Sequence, residues 1–204
     1  MSHVGLLRRR EMGGGAAPVP PLPYDAQVEY LVSTGTQWID VDYTTTANSI
    51  ITVDMLLSAV VLQDRLVGNS SGYFEIYING SKRYSFASGG ATKATSITAN
   101  TTTRRVFSIN NVEKKGYVDA TSVTITQNSS SYFGSTYILG RQSGWSTYAS
   151  GKLYGVIIKN GNETIRDMIP VRKNGIGYMY DRESGRLFGN SGTGVFTYGN
   201  DVTT

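Results

Sequence analysis

The sequence predicts an all-β fold, a sandwich of two antiparallel sheets. Three observations predict it: apolar and polar residues alternate along short segments, turn signals separate these segments about every 8 to 12 residues, and no stretch has a helical period. The composition agrees, since 39% of the 204 residues are hydrophobic, only 17% are charged, and 24 are glycine. A chain of this size needs only one domain. We assign the sandwich to residues 24–204 and an extended N-terminal arm to residues 1–23.

The arm has a composition of its own. It is basic and rich in Gly and Pro, and its prolines stiffen it toward an extended conformation. One interpretation is a disordered tail or an expression remnant. The other is an anchor that orders on another subunit, burying Leu6 and Leu7 while Arg8, Arg9 and Arg10 pair with an acidic surface.

The first half of the sandwich begins with residues 28–31 and 37–41, which a Ser-Thr-Gly-Thr turn predicts to be a tight pair of strands. We expect Trp38 to pack inward, and the alternative is that its ring stacks on a ligand. Residues 50–57 form the most apolar stretch and are the best candidate for a central strand. Residues 68–72 are predicted to turn the chain into a hairpin of residues 73–78 and 84–86 around Asn79-Gly80. Residues 87–103 are a weakly specified strand or a long loop.

The second half continues with predicted strands at 105–110, 115–118, 122–126 and 137–140. Residues 151–189 then read as a β-meander, with strands at 153–158, 165–169, 177–181 and 186–188. Asn160-Gly161 and a turn at 182–185 are its hairpin signals. Pro170 lacks a backbone donor, so we expect it at an edge or a bend. The glycine-rich residues 189–194 are predicted to form a hairpin, since they lack the Lys-Ser/Thr ending of a phosphate loop.

Several classes of function are excluded by composition. The chain has no cysteine and a single histidine, His3, which removes disulfides, thiolate metal sites, catalytic triads and multi-histidine zinc sites. No apolar run approaches the roughly 20 residues of a membrane span, so no membrane is expected. The net charge of +4 comes from basic pairs scattered along the chain, which favours solvated strand ends over a nucleic-acid surface. Residues 1–12 do not form a good secretory signal.

A polar loop at residues 128–150 is the part of the chain most like a binding site. It carries aromatic rings that could stack on sugars and planar polar groups that could bind sugar hydroxyls. The candidate ligand-binding residues are Tyr132, Arg141, Gln142, Trp145 and Tyr148. The alternative is a loop at the rim of the sandwich whose aromatic side chains only cap the core.

Motifs at both ends of the sandwich carry a family resemblance. They are Glu29-Tyr30-Leu31 with Ser33 to Asp40 near the start, then Gly151 to Tyr154, Arg166 to Arg172, Gly177 to Asp181 and Leu187 to Asn190. With these the chain resembles concanavalin A-like, laminin-G-type jelly-roll modules of gut bacteria and their phages. The resemblance covers most of residues 28–198 and implies a concanavalin A-like jelly-roll β-sandwich. It also implies structural roles for Arg166, Asp167, Tyr178 and Asp181.

Among such modules, those with a short basic arm look like phage head fibres or capsid decoration. The resemblance therefore implies a homo-oligomeric virion protein, made in the host cytoplasm, that anchors to capsid or other virion proteins through its arm. Its sandwich would be displayed at the virion surface and could bind host cell-surface polysaccharide. The alternative is a carbohydrate-binding module of a bacterial protein, at the cell surface or secreted.

An enzyme is not expected. Jelly-roll glucanases need two facing carboxylates, and the one pair of acids two residues apart on a strand is Asp40 and Asp42. Asp40 belongs to the structural motif, and the Glu-x-Asp-x-x-Glu pattern of retaining enzymes is absent. Some related modules bind calcium at the rim, but no spaced ligand set stands out here, so no metal and no cofactor is assigned.

Overall fold

A computed structural model describes residues 21–71, 73–126, 133–140 and 148–203. Every regular secondary-structure element in these ranges is a β-strand, which confirms the all-β prediction. They are β1 Ala26–Gln27, β2 Leu31–Thr34, β3 Ile39–Thr44, β4 Ser49–Leu57, β5 Arg65–Asn69, β6 Phe74–Ile78, β7 Arg83–Ser88, β8 Ala91–Thr98, β9 Arg105–Asn110, β10 Lys115–Val118, β11 Thr121–Thr124, β12 Ser135–Ile138, β13 Ser150–Asn160, β14 Glu163–Lys173, β15 Ile176–Asp181, β16 Leu187–Phe188 and β17 Thr197–Tyr198. The described residues include no helix that could span a bilayer.

The strands form two antiparallel sheets. The larger, of 11 strands, runs in the order β11-β10-β9-β4-β13-β14-β15-β16, with β1 paired to β14 and β2 paired to both β13 and β17. The smaller, of six strands, runs in the order β3-β12-β5-β6-β7-β8. The predicted sandwich of two antiparallel sheets is therefore present.

The core lies between the two sheets and follows from the alternation in sequence. On β4, Ile51, Val53 and Met55 are buried while their neighbours along the strand are only half-buried, and on β6 the buried apolar side chains are Phe74, Ile76 and Ile78. Burying one such side chain stabilises the fold by about 1.5–3 kcal/mol. The central position predicted for residues 50–57 is confirmed, because β4 lies between β9 and β13.

The predicted tight strand pair at the start of the sandwich is wrong. β2 lies in the larger sheet and β3 in the smaller, so residues 35–38 cross between the sheets. The crossing is held by the buried amide of Gln37, which accepts a hydrogen bond from the Thr34 N–H at 2.8 Å and donates one to the Val195 carbonyl at 3.3 Å. The inward position expected for Trp38 is also wrong. Gln37 and Ile39 are buried on either side of it, and the half-buried indole faces outward against Tyr137.

The meander of residues 151–189 is confirmed as β13 to β16, but its second strand is longer than predicted. β14 continues through Pro170 to Lys173. The carbonyl of Pro170 accepts from the Val28 N–H, so the proline nitrogen points to the same edge. The pairing of β14 with β13 ends at Met168, two residues before Pro170. The missing N–H is tolerated for this reason.

The motif residues Arg166, Asp167 and Asp181 have the structural roles that the resemblance implied. Arg166 on β14 donates to the carbonyls of Val41 and Asp42, and thus ties the larger sheet to β3. The fully buried carboxylate of Asp181 accepts from the Asp167 N–H at 2.9 Å and from the Ser184 hydroxyl at 2.5 Å. These contacts fix the turn between β15 and β16.

Two local predictions need correction, and one alternative that the sequence left open is decided. β5 was not predicted, since Gly68-Asn69 suggested a turn, yet Asn69 is buried at the end of the strand and its side chain organises the following turn. Of the two alternatives for residues 87–103, the strand is confirmed as β8, Ala91–Thr98. Residues 189–194 are not a hairpin, because β16 pairs with β15 and β17 pairs with β2. The loop packs on residues 36–38 instead, where the Ser191 N–H donates to the Trp38 carbonyl.

Candidate functional site

The outer face of the six-stranded sheet carries a cluster of polar side chains, several of which have little contact with solvent. Because Phe74, Ile76 and Ile78 point into the core, Glu75 and Tyr77 between them point outward. A strand residue on an outer face is usually solvated, yet Glu75 is only 4% exposed. Its neighbours on this face, across the pairings of β5 to β8, complete the outer-face cluster: Arg65, Glu75, Tyr77, Ser85 and Thr92.

The centre of this cluster is an ion pair. Arg65 Nη2 lies 3.3 Å from Glu75 Oε2, and their side chains are 11% and 5% exposed. The guanidinium carbon also lies 5.2 Å from the centroid of the Tyr77 ring. Arg65 Nε is a buried polar atom with no hydrogen-bond partner in the described part of the chain. Buried polar atoms are nearly always hydrogen-bonded, so the cluster has unused capacity to bind a polar group.

The hydroxyl of Tyr77 is held in its protonated form. Burial raises the pKa of Tyr77 above its usual value, and the hydroxyls of Thr92 and Ser85 only partly oppose this effect. At neutral pH the group is therefore a hydrogen-bond donor as well as an acceptor.

A second group on the same face is aromatic, and we call Trp38, Tyr137 and Tyr148 the aromatic rim. The rings of Trp38 and Tyr137 meet edge to face, with centroids 5.0 Å apart. Gly140 lies between Trp38 and Tyr148, and a Cβ there would be 2.6 Å from the Tyr148 ring. Tyr148 forms an isolated bridge with Arg65. The rim therefore runs from β3 to the outer-face cluster.

Of the predicted ligand-binding residues, Tyr148 is the one that the structure describes, and it lies in this rim. Tyr132, Arg141, Gln142 and Trp145 lie outside the described residues, so their roles stay predictions. Gly140 and Tyr148, which precede and follow residues 141–147, both lie at the outer face of the smaller sheet. The anchor residues Leu6, Leu7, Arg8, Arg9 and Arg10 also lie outside the described part.

The acids weighed as a catalytic pair have other contacts. Asp42 accepts a hydrogen bond from Arg186 Nη1 at 2.9 Å, and this contact lowers the pKa of Asp42. Asp40 Oδ1 accepts from the backbone N–H of Asp42. A carboxylate held ionised in this way is a poor general acid. No group of three or more potential metal ligands occurs among the described side chains.

Sequence reasoning missed Arg65 and Glu75. Glu75 has the pattern of a solvated strand residue, and its burial depends on tertiary contacts. One local signal was available: Glu75 is the single acid in the aromatic and apolar segment Tyr73-Phe74-Glu75-Ile76-Tyr77. Such a position on an outer face is a reasonable place to look for a site.

Comparison with solved structures shows a shared fold. The chain is similar to a candidate carbohydrate-binding protein from Bacteroides ovatus, with 11% identity and a TM-score of 0.61, over 87% of this chain and 62% of that protein. It is also similar to a native heptameric SAP-like pentraxin from Limulus polyphemus, with 13% identity and a TM-score of 0.44, over 88% and 93% of the two chains. No protein-family model matches. No curated sequence matches either.

The structural likeness agrees with the predicted jelly-roll sandwich of two antiparallel sheets. The chain spans about three fifths of the length of the Bacteroides ovatus protein. At 11% identity the likeness extends to the fold alone, since one fold serves many functions.

Proposed function

We propose that the chain is a carbohydrate-binding module whose glycan lies on the outer face of the six-stranded sheet. The observation that carries the proposal is the outer-face cluster, with its Arg65–Glu75 ion pair, beside the aromatic rim. Binding sites combine a few placed polar groups with apolar and aromatic surface in this way. The description of the Bacteroides ovatus structure as a candidate carbohydrate-binding protein supports the same class of ligand.

The chemistry of the face suits a sugar. A pyranose ring has faces of C–H groups, which pack on the rings of tyrosine and tryptophan, and a periphery of hydroxyls. A guanidinium offers only donors and a carboxylate only acceptors, whereas a sugar hydroxyl is both. Neighbouring hydroxyls can therefore donate to Glu75 and accept from Arg65 while a ring packs on Tyr148 or Tyr77.

Binding without hydrolysis is the activity that we propose. Glycoside hydrolysis requires two carboxyl groups on opposite sides of the bond that is cleaved. In the outer-face cluster Glu75 is the carboxylate, and it is paired with Arg65. Asp42 is paired with Arg186. The contact with Arg186 lowers the pKa of Asp42, which does not suit a general acid.

A glycan array with purified protein, followed by calorimetry on the best ligand, tests the proposal. Tyr148→Ala and Tyr77→Phe are expected to weaken binding at least tenfold, or about 1.4 kcal/mol. Tyr117→Phe, on β10 of the other sheet, is the matched control and should bind like the wild type. The predicted site residue Trp145 is tested in the same series as Trp145→Ala. If the Tyr148 and Tyr77 variants bind normally and keep their melting temperature, the glycan does not lie on this face.

The virion role is a separate proposal that rests on the family resemblance and on the basic arm. In that role residues 1–23 would dock on capsid or other virion proteins, and the sandwich would be displayed on the virion. Mass spectrometry of purified particles tests it, and absence of the chain from particles would contradict it. Deletion of residues 1–20 tests the anchor, which is wrong if the shortened chain still joins its assembly. A cell-surface or secreted bacterial module remains the alternative.

A further inference from the structure

The outer face of the eleven-stranded sheet is unusually apolar for a face turned away from the core. An antiparallel sheet with one solvated face usually shows polar residues at its outward positions. On β4, however, Ile50 and Leu56 are outward and half-buried. On the strands beside it, Val106 of β9 is 43% exposed and Ile157 of β13 is 40% exposed. The apolar character of residues 50–57 thus extends to both sides of the sheet.

Two neighbouring clefts mark the middle of this face. One, of about 450 Å³, is lined by residues that include Tyr30, Tyr154 and Ile169, and the other, of about 300 Å³, by residues that include Val106, Ile157 and Ile169. Ile169 lines both clefts, so the clefts adjoin each other. Their surfaces combine aliphatic side chains with tyrosine and arginine, the composition that protein interfaces favour.

The charges on this face are arranged in pairs. Arg104 makes a bidentate contact with Asp54, at 2.8 and 2.6 Å. Arg182 lies 2.6 Å from Asp167 on the other side of β13. Each pair presents both signs, and the two arginines are 53% and 55% exposed. Although the chain carries +4 overall, these paired charges would not repel an identical face.

We propose that two copies of the chain pack through this face as a symmetric dimer, with the two-fold axis running along β13. Rotation about that axis places the β9 side of one copy over the β15 side of the other. The Arg104–Asp54 pair of each copy then lies over the Arg182–Asp167 pair of the other, so that arginine can meet aspartate across the interface. The apolar side chains around β13 lie between these charges, as an isologous interface requires.

The available area is sufficient for such a dimer. β13 and β14 have 11 residues each, a length of about 36 Å at ~3.3 Å per residue. Five neighbouring strands, at a spacing of about 4.8 Å, give a width of roughly 24 Å. Because β9 and β15 have only 6 residues each, the five strands present roughly 700 Å² for each copy, within the range of about 600–1,000 Å² that specific interfaces bury on each side.

Sedimentation equilibrium of the full chain from 1 to 100 μM tests the proposal. We expect a mass of about 44 kDa, twice the 22.1 kDa of one chain. Ile157→Glu and Val106→Glu should each weaken dimerisation at least tenfold, because they bury a charge without a partner. Val112→Glu is the control, since Val112 is 55% exposed in the β9–β10 turn, away from this face. A 22.1 kDa species at all concentrations, or a dimer that tolerates both variants, overturns the proposal.

A second experiment uses the absence of cysteine from the chain. Ile157 lies on β13, next to the proposed axis, so two copies of an Ile157→Cys variant should be joined efficiently by a short bismaleimide. A Val112→Cys variant should remain monomeric on a denaturing gel. Equal cross-linking of the two variants would contradict this interface.

Discussion

Arg65 and Glu75 form an ion pair with a 3.3 Å contact on the side of the six-stranded sheet that faces away from the core. Removing one member of a buried pair leaves the other charge unpaired, which costs about 3–5 kcal/mol. We therefore expect Glu75→Gln and Arg65→Met each to destabilise the fold by several kcal/mol. The double variant Arg65→Met/Glu75→Leu should be more stable than either single variant, because no buried charge remains.

Urea unfolding of the four proteins measures this coupling. The double variant should also lose glycan binding although it is folded, which separates the ligand role of the pair from its effect on stability. If the loss of stability in the double variant equals the sum of the losses in the two single variants, the two charges do not interact.

Asp64 gives a second prediction, on the pH dependence of stability. Burial raises the pKa of Asp64 to about 6, against the smaller lowering effect of Arg65. Between pH 4 and pH 6 the folded chain thus holds a proton that the unfolded chain has released. Stability contributed by this group is highest at low pH, falls as the pH rises through this range, and is constant above it.

The Asp64→Asn variant removes this effect. It should be more stable than the wild type at pH 8, by about 3 kcal/mol at most, and the difference should shrink toward pH 4. Thermal unfolding at a series of pH values measures it. Glu163→Gln, at the exposed β13–β14 turn, is the control and should leave the pH profile unchanged. A stability difference that does not vary with pH would contradict the prediction.

The strands could be predicted from sequence where apolar and polar residues alternate between clear turn signals. β9 and β10 have the predicted bounds, because alternation and turn residues define both ends. β5 was missed for a local reason, since Gly68 and Asn69 are common in turns but here end a strand, with Asn69 buried. The crossing at residues 35–38 was read as a hairpin because a turn signal does not reveal which sheet the next strand joins.

The candidate site was less predictable. Tyr148 was identified from the composition of its loop, and it does lie beside the outer-face cluster. Arg65 and Glu75 are ten residues apart, and their contact depends on the register of β5 and β6, which includes a bulge. Alternation can show that Glu75 faces away from the core. It cannot show that the carboxylate is covered.

Asp181 gives a third prediction, at the turn after β15. Its fully buried carboxylate accepts hydrogen bonds from Asp167 and Ser184 and lies 3.7 Å from Arg166 Nε. Asp181→Asn replaces an acceptor oxygen with a donor in contact with donors, so we expect a loss of about 3 kcal/mol or more. Glu183→Gln, exposed in the same turn, should change stability by less than about 0.5 kcal/mol. Urea unfolding of both variants measures the difference, and equal stability would show that Asp181 is dispensable.

Gly116 gives the last prediction, on packing between the sheets. It lies on β10, and a Cβ there would be 2.2 Å from Cγ of Phe86 on the opposite sheet. Gly116→Ala must therefore displace a core ring, and overpacking of this kind costs about 1–3 kcal/mol. Gly80 in the β6–β7 turn has open space at the same position, so Gly80→Ala should be within about 0.5 kcal/mol of the wild type. Thermal unfolding of the two variants measures the contrast. If Gly116→Ala has the same melting temperature as the wild type, the Phe86 ring can move aside without a loss of stability. The packing between the two sheets at β10 would then be looser than the 2.2 Å distance implies.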